Sequence, residues 1–459
     1  MPSATPLAVS WAWLFGFCFS AGFRLISEKQ ALNAHMQKRL PLFSFLLLLC
    51  NLTAQAQDMA RVRQTITDLA APALHGRGYA FKGDSLAANY LQSQYAAIGL
   101  RSFTPNYRQN FTLPVNILDN RLQLEIDGKA LVPGVDFMAH GSTGAGAGEG
   151  KVYDIDTLIL KDIDVAQQFL TNNLRNKVLV VHQRHFRELL ALPEPFQPQL
   201  RSVAAVLVRN PGPKLMGTIG REQLPFPVLE ILEKAWPAKA KKIKFAVDAR
   251  LEPGYRSQNL IGYLPGKVKP DSFVVVTAHY DHLGHQGKDL YFPGAHDNAS
   301  GTAMLLELAR WYAQPQNTPD YSIVFMAFAG EEAGLVGSRY YTEHPLFPLA
   351  NIKFLLNLDL MSTGEEGLMV VNGSVFPKQF SILQQLNQQH KFLPQLKSRG
   401  KAANSDHYFF SEQGVPSFFF YTLGGTTTEY HHPQDKPDTL PLTKFKEVMA
   451  LIQAFVMTL

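Results

Sequence analysis

The chain has 459 residues, with 43 Lys and Arg against 38 Asp and Glu and a formal charge of +5. That length exceeds one ordinary core and predicts two domains, and a 46% hydrophobic share excludes a disordered chain. Arg24, Lys29, Lys38 and Arg39 face only Glu28 in the first 56 residues; the rest carries 39 basic and 37 acidic residues, no electrostatic case for nucleic acid as a partner.

Two apolar runs precede the body of the chain. The first, Trp11 to Phe23, has no charged flank before it. The second has Lys38 and Arg39, then Leu40 to Leu49, then Ala54-Gln55-Ala56, the order of a cleaved export signal. The expected leader is therefore 1–56, with the signal peptide at 36–56, translation starting at Met36, and export to the periplasm or outside the cell. Sequencing the exported protein tests this, since an intact N-terminus upstream of Met36 would contradict it. Lipidation at Cys50 ranks lower, because Leu49 is large where a small residue is wanted. Cys18 and Cys50 are the two cysteines of the sequence, and both fall in the leader. The processed chain would then have no disulfide or thiol chemistry, and His and carboxylates must hold any metal. No later run is long enough to span a bilayer.

From Asp58 to about Asn110 the apolar spacing predicts two helices, with His75-Gly-Arg-Gly-Tyr79 as a turn between them. Residues 111–254 change to short strands near 121–126, 177–181, 204–208 and 226–231, punctuated by Pro and Gly. This predicts an inserted β-rich domain. Its Gly141 to Gly150 run fails as a phosphate loop, because Val152 stands where Ser or Thr must follow Lys151. A flexible linker or hairpin is expected there instead. Beyond Ser257 strands and helices alternate. Strands are expected near 259–263, 273–278, 322–328, 353–358, 368–371 and 417–421, and helices near 300–313, 335–343, 376–389 and 442–457. A sheet covered on both faces by helices is the simplest architecture.

Polar residues end several of these strands: His279 and Asp281, Glu331 and Glu332, and Asp359. Asp297 follows a glycine-rich loop just before a helix, and His431 lies in Glu429-Tyr-His-His-Pro433. Singly, each reads as a cap, a turn or a solvated helix start. Together they crowd carboxylates and imidazoles at the carboxyl edge of one sheet, where ligands bind in open α/β folds. Such groups repel unless cations neutralise them, and imidazole with carboxylate favours zinc over manganese or cobalt.

The segments AHYDHLG, GAHDNASG, FAGEEAGLVGS, NLDLMS, SDHYFF and EYHHPQD resemble, in order, the motifs of the two-zinc aminopeptidases, metallopeptidase family twenty-eight. Glutamate carboxypeptidases and glutaminyl cyclases are relatives of that family. The middle segment is similar to a protease-associated domain, more weakly, through NKVLVV, SVAAVLVRN and LPFPVLEI. The resemblance implies a three-layer α/β/α fold with a mixed, mostly parallel sheet, formed by 57–110 and 255–459, with 111–254 inserted. It further implies two zinc ions and peptide N-termini as substrates. Asp297 would bridge the ions, His279 and Asp359 would hold one, and Glu332 and His431 the other. Glu331 would be the general base on a water shared by both ions, Asp281 would orient His279, and Tyr430 would steady the developing oxyanion. His432 competes with His431, but alignment on the following Pro-x-Asp favours His431. His296, Asp406 and His407 are open between lining the site and packing around it.

Three readings follow: an aminopeptidase, a glutaminyl cyclase, and a binding protein that keeps the fold. The Asp297-Asn-Ala-Ser-Gly301 form is that of the hydrolases, and no expected ligand is missing. A carboxypeptidase stays open within the hydrolases, although no Arg cluster for an α-carboxylate is evident.

Overall fold

A nine-stranded mixed sheet runs in the order Arg101–Ser102, Arg250–Leu264, Tyr321–Phe328, Lys269–His279, Ile352–Leu358, Ser417–Leu423, Gly367–Val371 and Leu396–Arg399, with Arg108–Ile117 also paired to Arg250–Leu264. These elements belong to a computed structural model describing residues 58–155, 159, 161–425 and 429–459. The expected leader lies outside them. Among the described residues no helix is long and apolar enough to cross a membrane.

The four strands at the centre of the sheet, from Tyr321–Phe328 to Ser417–Leu423, are mutually parallel, so their carboxyl ends share one edge. Phe273 to Ala278 read as an unbroken apolar run because both faces are covered. Val274, Val276 and Ala278 pack with helices Ser300–Tyr312 and Phe445–Val456. Phe273 and Val275 pack with Tyr341 of helix Val336–Glu343 and Phe410 of helix His407–Glu412. This is the expected three-layer arrangement, and the strands and helices expected beyond residue 257 appear within a few residues of their predicted bounds, except that the strand expected at 259–263 begins already at Arg250.

A second sheet of eight strands lies between Leu122 and Val247, with helices Ile163–Thr171 and Gln183–Leu190 beside it. Its pairings at Lys177–His182 are parallel, so this lobe is α/β in character. Strands Arg108–Ile117 and Arg250–Leu264 pair across the expected boundaries at 111 and 254. Pro114 is tolerated because Arg108–Ile117 is an edge strand.

The glycine run departs from expectation. Gly146 to Gly150 open the strand Gly146–Asp154, paired on both sides with Lys242–Val247 and Lys177–His182. Gly146, Gly148 and Gly150 alternate onto one face. A Cβ at Gly146 would lie 2.8 Å from Pro227 Cγ, and one at Gly150 would lie 2.8 Å from the Asn176 carbonyl oxygen. The glycines make room for close packing inside a sheet, and this is not a linker.

Met59–Leu459 form one compact unit. Leu283, Leu290 and Phe292, from the loop after strand Lys269–His279, are buried in the core of the eight-stranded lobe. Each such burial contributes about 1.5–3 kcal/mol, so the lobe clamps the loop that leads out of His279.

Candidate metal centre

The parallel strands deliver their polar ends to one place. His279 ends its strand, Glu331 and Glu332 follow Phe328 after a short turn, and Asp359 follows Leu358. Asp297 enters from the turn before helix Ser300–Tyr312. His279 Nε2 lies 3.3 Å from Asp297 Oδ1 and 3.4 Å from Asp359 Oδ1. On the other side, His431 Nε2 lies 3.1 Å from Asp297 Oδ2 and 3.0 Å from Glu332 Oε2. The two oxygens of Asp297 thus face two separate donor sets.

An imidazole nitrogen carries at most one proton, yet each of these faces two carboxylate oxygens. Asp297 Oδ2, Asp359 Oδ1 and His431 Nε2 are buried without a hydrogen-bond partner among the described residues. Lone pairs turned toward shared points and left unsatisfied are what a divalent cation would complete. The electrostatics agree. Burial opposes protonation of His431, but Glu332 and Asp297 hold it up at about 11. Burial would raise Asp297, but His279 and His431 hold it well below the usual carboxylate range. Cations would replace these protons.

Glu331, His279 and Asp359 each place one donor atom within 4.8 Å of the others. Burial pushes Glu331 well above the usual carboxylate value; His279 opposes this, and Asp406, Glu332 and Asp359 add to it. Its backbone N–H donates to Asp281 Oδ1 at 3.3 Å. The Asp281 carboxylate stands 3.7 Å from His279 Nδ1, while the Asp281 carbonyl oxygen is nearer at 3.2 Å. That carbonyl is therefore the acceptor that orients the ring, and the side chain braces the Glu331 loop. Tyr430 stacks on His431 with ring centroids 3.9 Å apart and is 44% exposed. Burial, with Asp297 and Glu332 nearby, raises its hydroxyl pKa, so it stays a proton donor.

Residues 259–456 match the family model of peptidase family M28. That stretch is similar to the M28 peptidases. The aminopeptidase YwaD of Bacillus subtilis (strain 168) is 29% identical over 238 residues, half of this chain and half of that protein. A probable zinc metalloprotease of Pyricularia oryzae is 37% identical over 125 residues, 26% of this chain and 24% of that protein. The chain thus spans about half the length of the first relative and a quarter of the second. Among solved structures, BSAP, a zinc aminopeptidase from Bacillus subtilis, superposes with a TM-score of 0.64 at 22% identity, covering 87% of this chain and 94% of that one. An aminopeptidase from Aneurinibacillus sp. strain AM-1 gives 0.61 at 19% identity, covering 87% and 93%. These two likenesses establish the fold.

The loops that carry these polar groups are held by residues the sequence did not single out. Arg77 is fully buried, and its guanidinium donates to the carbonyl oxygens of Leu69, Tyr280, Pro293, Gly294 and Asp297 at 2.7–3.3 Å. The Asp435 carboxylate accepts from the backbone N–H of His296 at 2.8 Å and of Asp297 at 3.1 Å. Asn298 Nδ2 donates to the carbonyls of His279 and Leu358, tying together the strand ends that present His279 and Asp359.

His282, Asp297 and Glu332 form a second group of donor atoms within 4.8 Å of one another. His282 Nδ1 lies 2.7 Å from Glu332 Oε1, whereas His431 faces Glu332 Oε2 and Asp297 Oδ2. His282 therefore steadies Glu332 from behind, and His431 points between the two carboxylates. His432 contacts Glu429 instead. His296 Nδ1 contacts Ser362 Oγ at 2.7 Å, and Asp406 is buried with both carboxylate oxygens unpartnered among the described residues. His407 packs against Phe419.

Proposed function

We propose that the chain is an exported, zinc-dependent aminopeptidase releasing N-terminal residues from peptides or protein N-termini. The observation that carries this is Asp297, whose Oδ1 faces His279 and Asp359 while its Oδ2 faces His431 and Glu332. In this reading Asp297 would serve both of two zinc ions, His279 and Asp359 would hold one, and Glu332 and His431 the other. The relatives, an aminopeptidase and a probable zinc metalloprotease, support the same chemistry. The peptidase domain is 57–110 with 255–459, and the eight-stranded lobe between them is an insertion.

Bound zinc would lower the pKa of water toward ~7 and polarise the scissile carbonyl. Glu331, beside His279 and Asp359, takes the proton of the attacking water and passes it to the departing amine nitrogen. A C–O bond forms, the C–N bond breaks, and the products are a free amino acid and a shortened peptide. The neutral His279 donates Nδ1–H to the Asp281 carbonyl and leaves Nε2 free toward the site. Tyr430 donates to the oxyanion that develops on the carbonyl oxygen.

A peptide panel tests this. Free amino acid should appear from peptides with open N-termini, cease when the N-terminus is acetylated, persist when the C-terminus is amidated, and stop with a chelator. Loss on C-terminal amidation would point to a carboxypeptidase, and pyroglutamate from Gln-initiated peptides to a cyclase. Either outcome overturns the proposal.

A further inference from the structure

His431 is held by another part of the chain. Its Nδ1 lies 3.2 Å from the Gly217 carbonyl oxygen, and its own carbonyl accepts from the Gly217 N–H at 2.8 Å. Gly217 lies on the loop between strands Ala205–Asn210 and Val228–Leu232 of the eight-stranded lobe. A ligating imidazole needs its far nitrogen fixed, because that bond sets both tautomer and ring orientation. With Nδ1–H given to Gly217, Nε2 keeps its lone pair for the space between Asp297 and Glu332.

The loop is anchored as a strut. The Asn116 N–H donates to the Gly220 carbonyl at 2.8 Å, the Leu224 N–H to the Ser142 carbonyl at 2.8 Å, and Gln223 Nε2 to Asn116 Oδ1 at 2.9 Å. Lys214 Nζ lies 3.7 Å from Glu429 Oε2, two residues before His431. Position 217 also admits no side chain. A Cβ there would stand 2.8 Å from the Phe292 ring and 2.9 Å from Leu283 Cδ1, both of which belong to the lobe's buried core.

We propose that Gly217 is a positioning residue for His431, so that the inserted lobe completes the second cation site of the peptidase domain. This rests on the two-cation reading above. The lobe would then act as part of the metal centre, and shifting its loop would empty one site while leaving the other.

The test is metal binding by the full chain. Wild type, His431→Ala, Gly217→Ala and the double variant Gly217→Ala with Phe292→Leu are dialysed against buffered zinc and their bound equivalents counted. Gly217→Ala is expected to bind the second equivalent about 10–100-fold more weakly. That loss should match the equivalent lost in His431→Ala, and the double variant, which restores room, should recover part of it. A purely structural lesion would lower the unfolding midpoint of the metal-free protein without removing one chosen equivalent. Two equivalents bound by Gly217→Ala with wild-type affinity, while His431→Ala loses one, would overturn this inference alone. No loss in His431→Ala would overturn the two-cation reading itself. If the variants do not fold, hydrogen exchange in the unaltered protein decides. Zinc should slow exchange of the loop peptide containing Gly217, and an unchanged rate would overturn the proposal.

Discussion

Glu331→Gln is expected to reduce kcat for N-terminal residue release by about 10²–10⁴-fold, the usual contribution of a general base. Glutamine matches glutamate in size but cannot accept the water's proton. Its loop should stay put, because the contact to Asp281 runs through the backbone N–H at 331 and not through the side chain. The proposed ligands His279, Asp297, Glu332, Asp359 and His431 are untouched, so bound zinc should be unchanged. The loss should appear in kcat with KM near wild type, since the interaction lost exists only in the transition state. Steady-state kinetics on an aminoacyl anilide, with metal analysis of the same sample, measures both. Activity within a few-fold of wild type would remove Glu331 from its role.

Arg77→Met is expected to have the largest effect on stability. Five carbonyls accept from this one buried guanidinium, from Leu69, Tyr280, Pro293, Gly294 and Asp297. Methionine fills much of the space and supplies no donor. Each buried carbonyl left unpaired costs about 1–3 kcal/mol. Partial repair by water brings the expected total to about 4–6 kcal/mol, a large share of what holds a domain together. The loss also removes a cation beside Asp297, Asp435, Asp281 and Glu332. Urea unfolding of the metal-free chain reads the effect without involving zinc, and a change below about 1 kcal/mol would contradict this account of Arg77.

Arg77 also marks where the sequence stops being legible. His75-Gly-Arg-Gly-Tyr79 read as a turn, and a turn it is, with His75 at φ 47° and Arg77 at φ 49°. The partners of Arg77 are backbone carbonyls, which leave no mark in the sequence. The same holds for Gly217, whose importance lies in its own backbone groups. The glycine run at 146–150 misled because glycine signals mobility when read locally, whereas here its missing side chains admit Pro227 and the Asn176 carbonyl. Pro114 hid the strand Arg108–Ile117, and only the pairing reveals it as an edge strand.

The catalytic half was legible for physical reasons. Strands buried on both faces must be apolar throughout, so the polar residues that end them stand out. In a parallel sheet those ends converge. His279, Glu331, Glu332 and Asp359 were readable in this way. Asp297 and His431 come from loops; they joined the same cluster by their place in the sequence, and the family resemblance supplied only the roles expected of them. His282 was passed over because a second imidazole in HYDHLG offered no clue to which one faces the carboxylates.

The most direct measurement is the number of zinc equivalents held by the folded protein and by Asp297→Ala. Two equivalents in the wild type and neither retained at the same free zinc in the variant is the predicted result, because one carboxylate serves both sites. A folded wild type that binds no zinc, or an Asp297→Ala variant that keeps two equivalents, would contradict a bridged two-cation centre.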